Sequence, residues 1–146
     1  MARQVGVKTE IVGAFSDTPL MRERAGNGLE GSMLFDEYDV NSPTPQNQVF
    51  VRKFRARFGK DPDTWAAQGY DALYILAKAV NATRSANPLD LSYSIRYMDA
   101  WEGVNGRYKF DDQGELEDKP IYLDVYRNGT PVVFQQSVPV PMPILN

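Results

Sequence analysis

The 146-residue chain contains no cysteine and no histidine. Those two absences remove the thiolate nucleophile, the imidazole base, the Ser-His-Asp triad and the usual zinc ligands, leaving only carboxylate, lysine, tyrosine or serine chemistry. A chain without Cys suits an oxidising compartment, where nothing can mispair, and suits the cytosol equally. No stretch approaches the ~18 consecutive apolar residues of a membrane-spanning helix, and Met1-Ala2-Arg3-Gln4-Val5-Gly6-Val7-Lys8 lacks the apolar segment of a secretory signal. Surplus positive charge is missing as well. Sixteen Lys and Arg stand against 19 Asp and Glu, a formal net charge of -3, so no nucleic-acid partner is expected. The one basic cluster, Arg52, Lys53, Arg55, Arg57 and Lys60, reads as the solvated side of a helix.

What is present suffices for a purely apolar core. A fully folded chain of this length buries about 68–70% of the surface that its unfolded form exposes, so neither disulfides nor a metal are needed to hold it. Glu10-Ile11-Val12-Gly13 reads as a strand, and Asp17-Thr18-Pro19 as a helix start, with Asp or Thr as cap and the helix ending by Gly26-Asn27-Gly28. Gly31–Asp36 is a second strand, too continuously apolar at its centre to be half exposed. This β-α-β order predicts a right-handed crossover and a sheet covered by helices.

Beyond the break at Asn41-Ser42-Pro43-Thr44-Pro45, residues Phe50, Val51, Phe54 and Phe58 recur at helical spacing up to Gly59. Ala66, Tyr70, Leu73, Ala77 and Val80 share one face of the next helix, and Leu91, Ile95 and Met98 mark the buried side of a third over Asp90–Trp101. From Gly103 the period changes to two: Arg107–Phe110, then Ile121, Leu123 and Val125 alternating with Tyr122, Asp124 and Tyr126. Asn128-Gly129 predicts a tight hairpin, because both residues accept positive φ. The tail Val138-Pro139-Val140-Pro141-Met142-Pro143 cannot sit inside a sheet, since alternate residues lack a donor. Three successive helices between two groups of strands find no strands of their own to cover, so something is expected to be missing.

Four segments in order carry a resemblance. They are Ala2–Thr9 leading to Ile11-Val12-Gly13, then Gly28-Leu29-Glu30-Gly31 before a strand, then Gly59-Lys60-Asp61-Pro62-Asp63-Thr64-Trp65-Ala66-Ala67-Gln68-Gly69-Tyr70-Asp71-Ala72, and finally Gly103-Val104-Asn105-Gly106 with Phe110-Asp111-Asp112-Gln113-Gly114 and the Asn128-Gly129 turn. Together they make the chain similar to the extracellular solute-binding proteins that serve ABC importers of branched-chain amino acids. The resemblance implies an α/β chain forming part of a type I periplasmic-binding fold: Rossmann-like lobes, helices covering a mainly parallel sheet, a C-terminal β-hairpin, and a ligand held in a cleft between two lobes. Matched by order, the chain is the C-terminal part of such a protein and is incomplete alone. Residues 1–38 fall in the second lobe, 39–105 in the first, and 106–146 in the second again.

The same resemblance places the ligand. The loop after Ile11-Val12-Gly13 faces the cleft, and amino-acid-binding members put a carboxylate there for the ligand's ammonium, since a buried cation needs a charged partner. Phe15 occupies that position here, with Ser16 and then Asp17 following it. The departure leaves open a ligand without an ammonium, for which Phe15 is a stacking wall; Asp17 is either a helix cap or a ligand contact. Trp65 matches an aromatic residue that closes over the ligand, or else packs at a helix N-terminus. Tyr70 shares the face expected to be buried and reads as core.

Other motifs carry less. The acidic run Asp111, Asp112, Glu115, Glu117, Asp118 lacks the ligand alternation of a calcium loop and reads as a solvated turn, and adjacent exposed acids do not make a glycosidase pair. Asn81-Ala82-Thr83 and Asn128-Gly129-Thr130 match the glycosylation tripeptide by chance. The implied function is small-molecule binding for an ABC importer, with no catalysis and no cofactor or metal. The implied location is periplasmic or extracellular. The implied partners are a small-molecule ligand, a membrane permease, and either the missing N-terminal lobe or a second copy that covers the apolar helices, so oligomerisation is expected. A ligand-sensing or protein-interaction module of the same fold is the alternative.

Overall fold

The computed structural model describes Gly6, residues 9–14 and residues 17–136. In chain order the elements are β1 (Val12–Ala14), α1 (Pro19–Ala25), a 3-10 turn (Gly26–Leu29), β2 (Met33–Asp36), α2 (Pro45–Phe58), α3 (Thr64–Thr83), α4 (Pro88–Arg96), β3 (Trp101–Gly103), β4 (Gly106–Tyr108), β5 (Tyr122–Arg127) and β6 (Thr130–Gln136). They divide into two compact units. One holds the described residues up to Glu37 and those from Pro120 onward; the other is Tyr38–Lys119. The expected tail strap, Val138–Pro143, lies outside the described residues.

The first unit is a four-stranded mixed sheet in the order β1-β2-β5-β6. β1 runs parallel to β2, as the α1 crossover requires, while β5 and β6 are antiparallel additions joined by the Asn128-Gly129 turn, where φ is 52° and 78°. Opposed residues share a face, so Leu34 lies with Asp124, and Tyr126 two residues along joins them. That face is buried. On the other, Val12, Phe35 and Val132 remain exposed. β2 is therefore half exposed after all, with Leu34 at 1% and Phe35 at 42% exposure. β5 buries Val125, in keeping with the alternation of Ile121, Leu123 and Val125, but also Asp124 and Tyr126 on the opposite face, which that alternation did not foresee.

The second unit is helical, and its helices start by one device. Thr44, Asp63 and Asn87 each cap a backbone N–H from the side chain, and Pro45 and Pro88 open α2 and α4 where the missing N–H costs nothing. Gly59, in the left-handed region, closes α2. α4 ends at Arg96, short of the expected Trp101, which begins the β3–β4 hairpin instead. The core is Tyr38, Phe50, Val51, Ala67 and Val104, with Phe54, Ala66 and Tyr70 packed against it. Phe58, expected on the buried side of α2, is exposed.

α3 corrects the sequence reading most sharply. Its buried residues are Thr64, Ala67, Asp71, Ile75 and Ala79, nearly opposite the predicted face, and Leu73 is 69% exposed. The reason is polar. Asp71 draws the helix onto the β3–β4 hairpin, and small residues flank it, so the helix packs along a stripe that counting bulky apolar residues passes over. Leu73, Ala77 and Val80 of the predicted stripe thus face outward, while Ala66 and Tyr70 stay at the edge of the core, and Leu89 and Tyr93 of α4 are exposed too. Residues 106–119 stay with this helical unit, whereas the resemblance placed everything after Asn105 with the other lobe; β3 and β4 pair with each other, and Asp71 ties their turn to α3.

Candidate functional site

Phe15 and Ser16 lie outside the described residues; Asp17, next along the chain, follows the carboxyl end of β1. In sheets with parallel strands, ligands gather at such ends. Asp17 is not the cap of α1, however. Thr18 takes that place, its hydroxyl accepting from the Met21 N–H at 3.1 Å. The Asp17 carboxylate instead accepts from Arg22 through both oxygens, from Nε at 2.7 Å and from Nη2 at 2.5 Å. It also accepts from the hydroxyl of Tyr126, across 109 residues of sequence.

Each partner is tuned by this cluster. The hydrogen bond to Asp17 raises the Arg22 guanidinium above its ordinary value. Burial foremost, then the hydrogen bond to Asp17, pushes the Tyr126 phenol up, so its proton is held. A carboxylate already bound by a bidentate guanidinium and a phenol is committed to the fold. For an ammonium ligand to use Asp17, the Arg22 pair would have to open.

Trp65 stands in the first turn of α3, just past the Asp63 cap, which accepts from the Ala66 N–H at 2.9 Å. It is 60% exposed and packs in none of the unit's ring contacts, so it projects from the helix rather than filling its base. Asp17 and Trp65 belong to different units. Tyr70 sits against the core as expected, and its hydroxyl donates to that of Tyr74 at 3.2 Å, a bond that pushes the Tyr70 phenol up to about 12.

Two features escaped sequence reasoning. Asp71, wholly buried, accepts from the backbone N–H groups of Val104 at 2.9 Å and Asn105 at 2.8 Å. Gly103 makes room for it: a Cβ there would fall 2.5 Å from Asp71 Oδ2, so the hairpin can approach the carboxylate only with glycine at this position. Asp71 is the single acid of α3, and that was the available signal. Asn47, also wholly buried, donates to the carbonyls of Val40 and Ser42, each at 3.0 Å, and accepts from the Tyr38 hydroxyl at 2.7 Å. It thereby holds the segment leading into α2.

Two open grooves flank α4. One of ≈ 780 Å³ is lined by Lys78, Tyr93, Tyr97, Met98 and Trp101 among others, and one of ≈ 460 Å³ by Leu76, Leu91, Ile95 and Phe110. Neither includes Asp17 or Trp65. At the acidic run, the Asp111 carboxylate accepts from the N–H groups of Gln113 and Glu115 and holds the turn closed, and these bonds, that from Glu115 first, keep it below the usual carboxylate range.

Comparison with known proteins places this geometry. The "Leu/Ile/Val-binding protein homolog 2" of Brucella abortus (strain 2308) is 27% identical over 105 residues, 72% of this chain but 28% of that protein. The crystal structure of a leucine binding protein from Thermotoga maritima MSB8 superposes with a TM-score of 0.87 at 26% identity, covering 94% of this chain and 40% of that one. A solute binding protein from R. palustris, solved in complex with benzoate, shares the fold with a TM-score of 0.77 at 22% identity, covering 93% and 38%. The chain therefore spans well under half the length of each, which are type I periplasmic binding proteins and non-catalytic as a class. The profile of the family described as "Periplasmic binding protein" matches residues 1–128, and the chain belongs to that family.

Proposed function

We propose that this chain is part of the small-molecule binding component of an ABC importer, that it carries out no catalysis, and that its ligand is an organic acid lacking an ammonium group. The observation that carries the second half is the state of Asp17. The position where amino-acid-binding relatives would place a carboxylate is Phe15, and the next carboxylate along is already paired with Arg22 and Tyr126. Asp17 would offer a ligand ammonium only an anion that is already paired, and leaving that ammonium unpaired in a desolvated site would be costly. Phe15 and Ser16 are the proposed ligand contacts in the first unit, with Asp17 next to them in the sequence. Trp65 is the proposed aromatic contact in the second.

The proposed partners are a membrane permease and the portion of the protein that precedes this chain, or else a second copy, either of which would cover the outward apolar rows of α3 and α4. The location would be periplasmic or extracellular, as for the family, and no nucleic acid is involved. Those same rows are what favours the rival, a ligand-sensing or protein-interaction module with this fold.

The test is calorimetric titration. The isolated chain should give no binding heat with leucine, valine or benzoate. The protein completed by its preceding segment should take up benzoate at micromolar concentration and leave leucine unbound. Micromolar leucine binding by either form overturns the proposal.

A further inference from the structure

The charges of this chain are unevenly placed. Residues 40–60 hold five cations and no acid, while the rest of the chain has eleven cations against nineteen acids. The five lie on α2 and its capping turn, and Arg52, Lys53, Arg55, Arg57 and Lys60 are all exposed. Arg55 pairs with Asp61. Arg57 lies over the ring of Phe58. Among the described residues, Arg52, Lys53, Arg57 and Lys60 make no ion pair. Attraction to the helix C-terminus accounts for Arg55 and Arg57, which stand in the last turn, but Arg52 and Lys53 stand before it.

We propose that the exposed face of α2 is a docking surface for a second copy of this chain. The complement is supplied by the chain itself. Residues 111–118 hold five acids and no cation, and of these Asp112, Glu115, Glu117 and Asp118 are exposed and make no ion pair among the described residues. Both surfaces belong to the helical unit. In a two-fold pair each α2 meets the partner's acidic turn and the contact is made twice, which is how a self-complementary interface closes. Arginines on a rigid helix present forked donors that match carboxylates. A lipid surface fits less well, since Phe50 and Val51 of α2 are turned into the core and its exposed apolar side chains, Val49 and Phe58, stand nine residues apart on opposite sides of the helix and form no row to insert.

This surface is distinct from the outward apolar rows of α3 and α4, and salt separates the two. Ion-pair association weakens as salt rises, whereas burial of apolar surface does not weaken. The experiment is sedimentation equilibrium on the 146-residue chain at about 50 mM and about 500 mM sodium chloride, spanning Debye lengths from beyond to well within contact range. The expected result is a dimer at low salt whose dissociation constant rises at least about tenfold at high salt. R52E/K53E and E115K/E117K should each be monomeric at low salt, and an equimolar mixture should dimerise again. Should R52E/K53E lose its circular dichroism signal, R52Q/K53Q serves in its place and should weaken dimerisation in the same direction. A monomer at low salt, association that strengthens with salt, or a mixture that stays monomeric overturns the proposal. So does binding of the chain to phosphatidylserine vesicles without self-association. None of these outcomes depends on which ligand the protein takes.

Discussion

The two units solve the problem of burial in opposite ways. The sheet unit gains its order from backbone ladders, to which side chains add long-range ties such as the cluster of Asp17 with Arg22 and Tyr126 and the bond from the Asn128 N–H to Glu30. The helical unit has no such ladder to tie its elements together, since β3 and β4 pair only with each other. It uses buried polar side chains instead: Asn47 holds the segment before α2, and Asp71 holds the hairpin after α4. Between its ends a helix satisfies its own backbone internally and offers no ladder to its neighbours, so the helix ends and the loops between helices find partners among side chains. Polar residues in the core of the helical unit are thus the counterpart of strand pairing in the other.

That contrast can be broken by substitution. The largest effect is expected for Asp71→Ala, which strands two buried N–H groups and should cost about 3–5 kcal/mol. Hydrogen exchange should show the loss confined to Tyr38–Lys119, and equal loss of protection in β5 would mean that the units unfold as one block. Leu34→Ala is the converse, a cavity under the sheet worth about 3 kcal/mol that should lower protection in β1, β2 and β5 alone.

Tyr126→Phe should cost about 1–2 kcal/mol, since Arg22 still holds Asp17. It should also change how the sheet unit responds to alkali. Because the folded state raises the phenol's pKa, it binds that proton more tightly than the unfolded chain does. The associated stability is full below about pH 10, the unfolded value, and falls as pH climbs toward the folded one. Loss of circular dichroism above pH 10 should therefore be less steep in the variant, and an unchanged slope would remove Tyr126 as the cause. The smallest effect is expected for Thr18→Ala, about 1 kcal/mol from a lost cap, read as a small drop in midpoint temperature.

Local chemistry was legible in the residues. The Asn128-Gly129 turn, the Gly59 stop and the side of α2 bearing Phe50, Val51 and Phe54 follow from single residues or short periods, and the structure has them. The side on which α3 packs was not legible, because that choice is made by Asp71 reaching a backbone 33 residues away. Hydrophobic periodicity has no term for such a contact, and α3 carries apolar residues on both sides. The candidate site divides the same way. Asp17 is conspicuous beside Pro19, yet its partner Tyr126 comes from the far end of the chain, and no spacing rule joins them. Thr18 and Asp17 were interchangeable as caps on paper, and only the bidentate claim of Arg22 on Asp17 separates them.

In the helical unit, seven rings follow one another, Phe58, Phe54, Phe50, Tyr70, Tyr74, Trp101 and Tyr108, with successive centroids 4.5 to 6.4 Å apart. Trp101 sits inside this run, stacked on Tyr74 and next to Tyr108, while Trp65 is exposed, and the chain has no other tryptophan. Both indoles therefore report on the packing of the helical unit. Light absorbed by Tyr70, Tyr74 and Tyr108 drains to Trp101, so tyrosine excitation reads how closely these rings are held together.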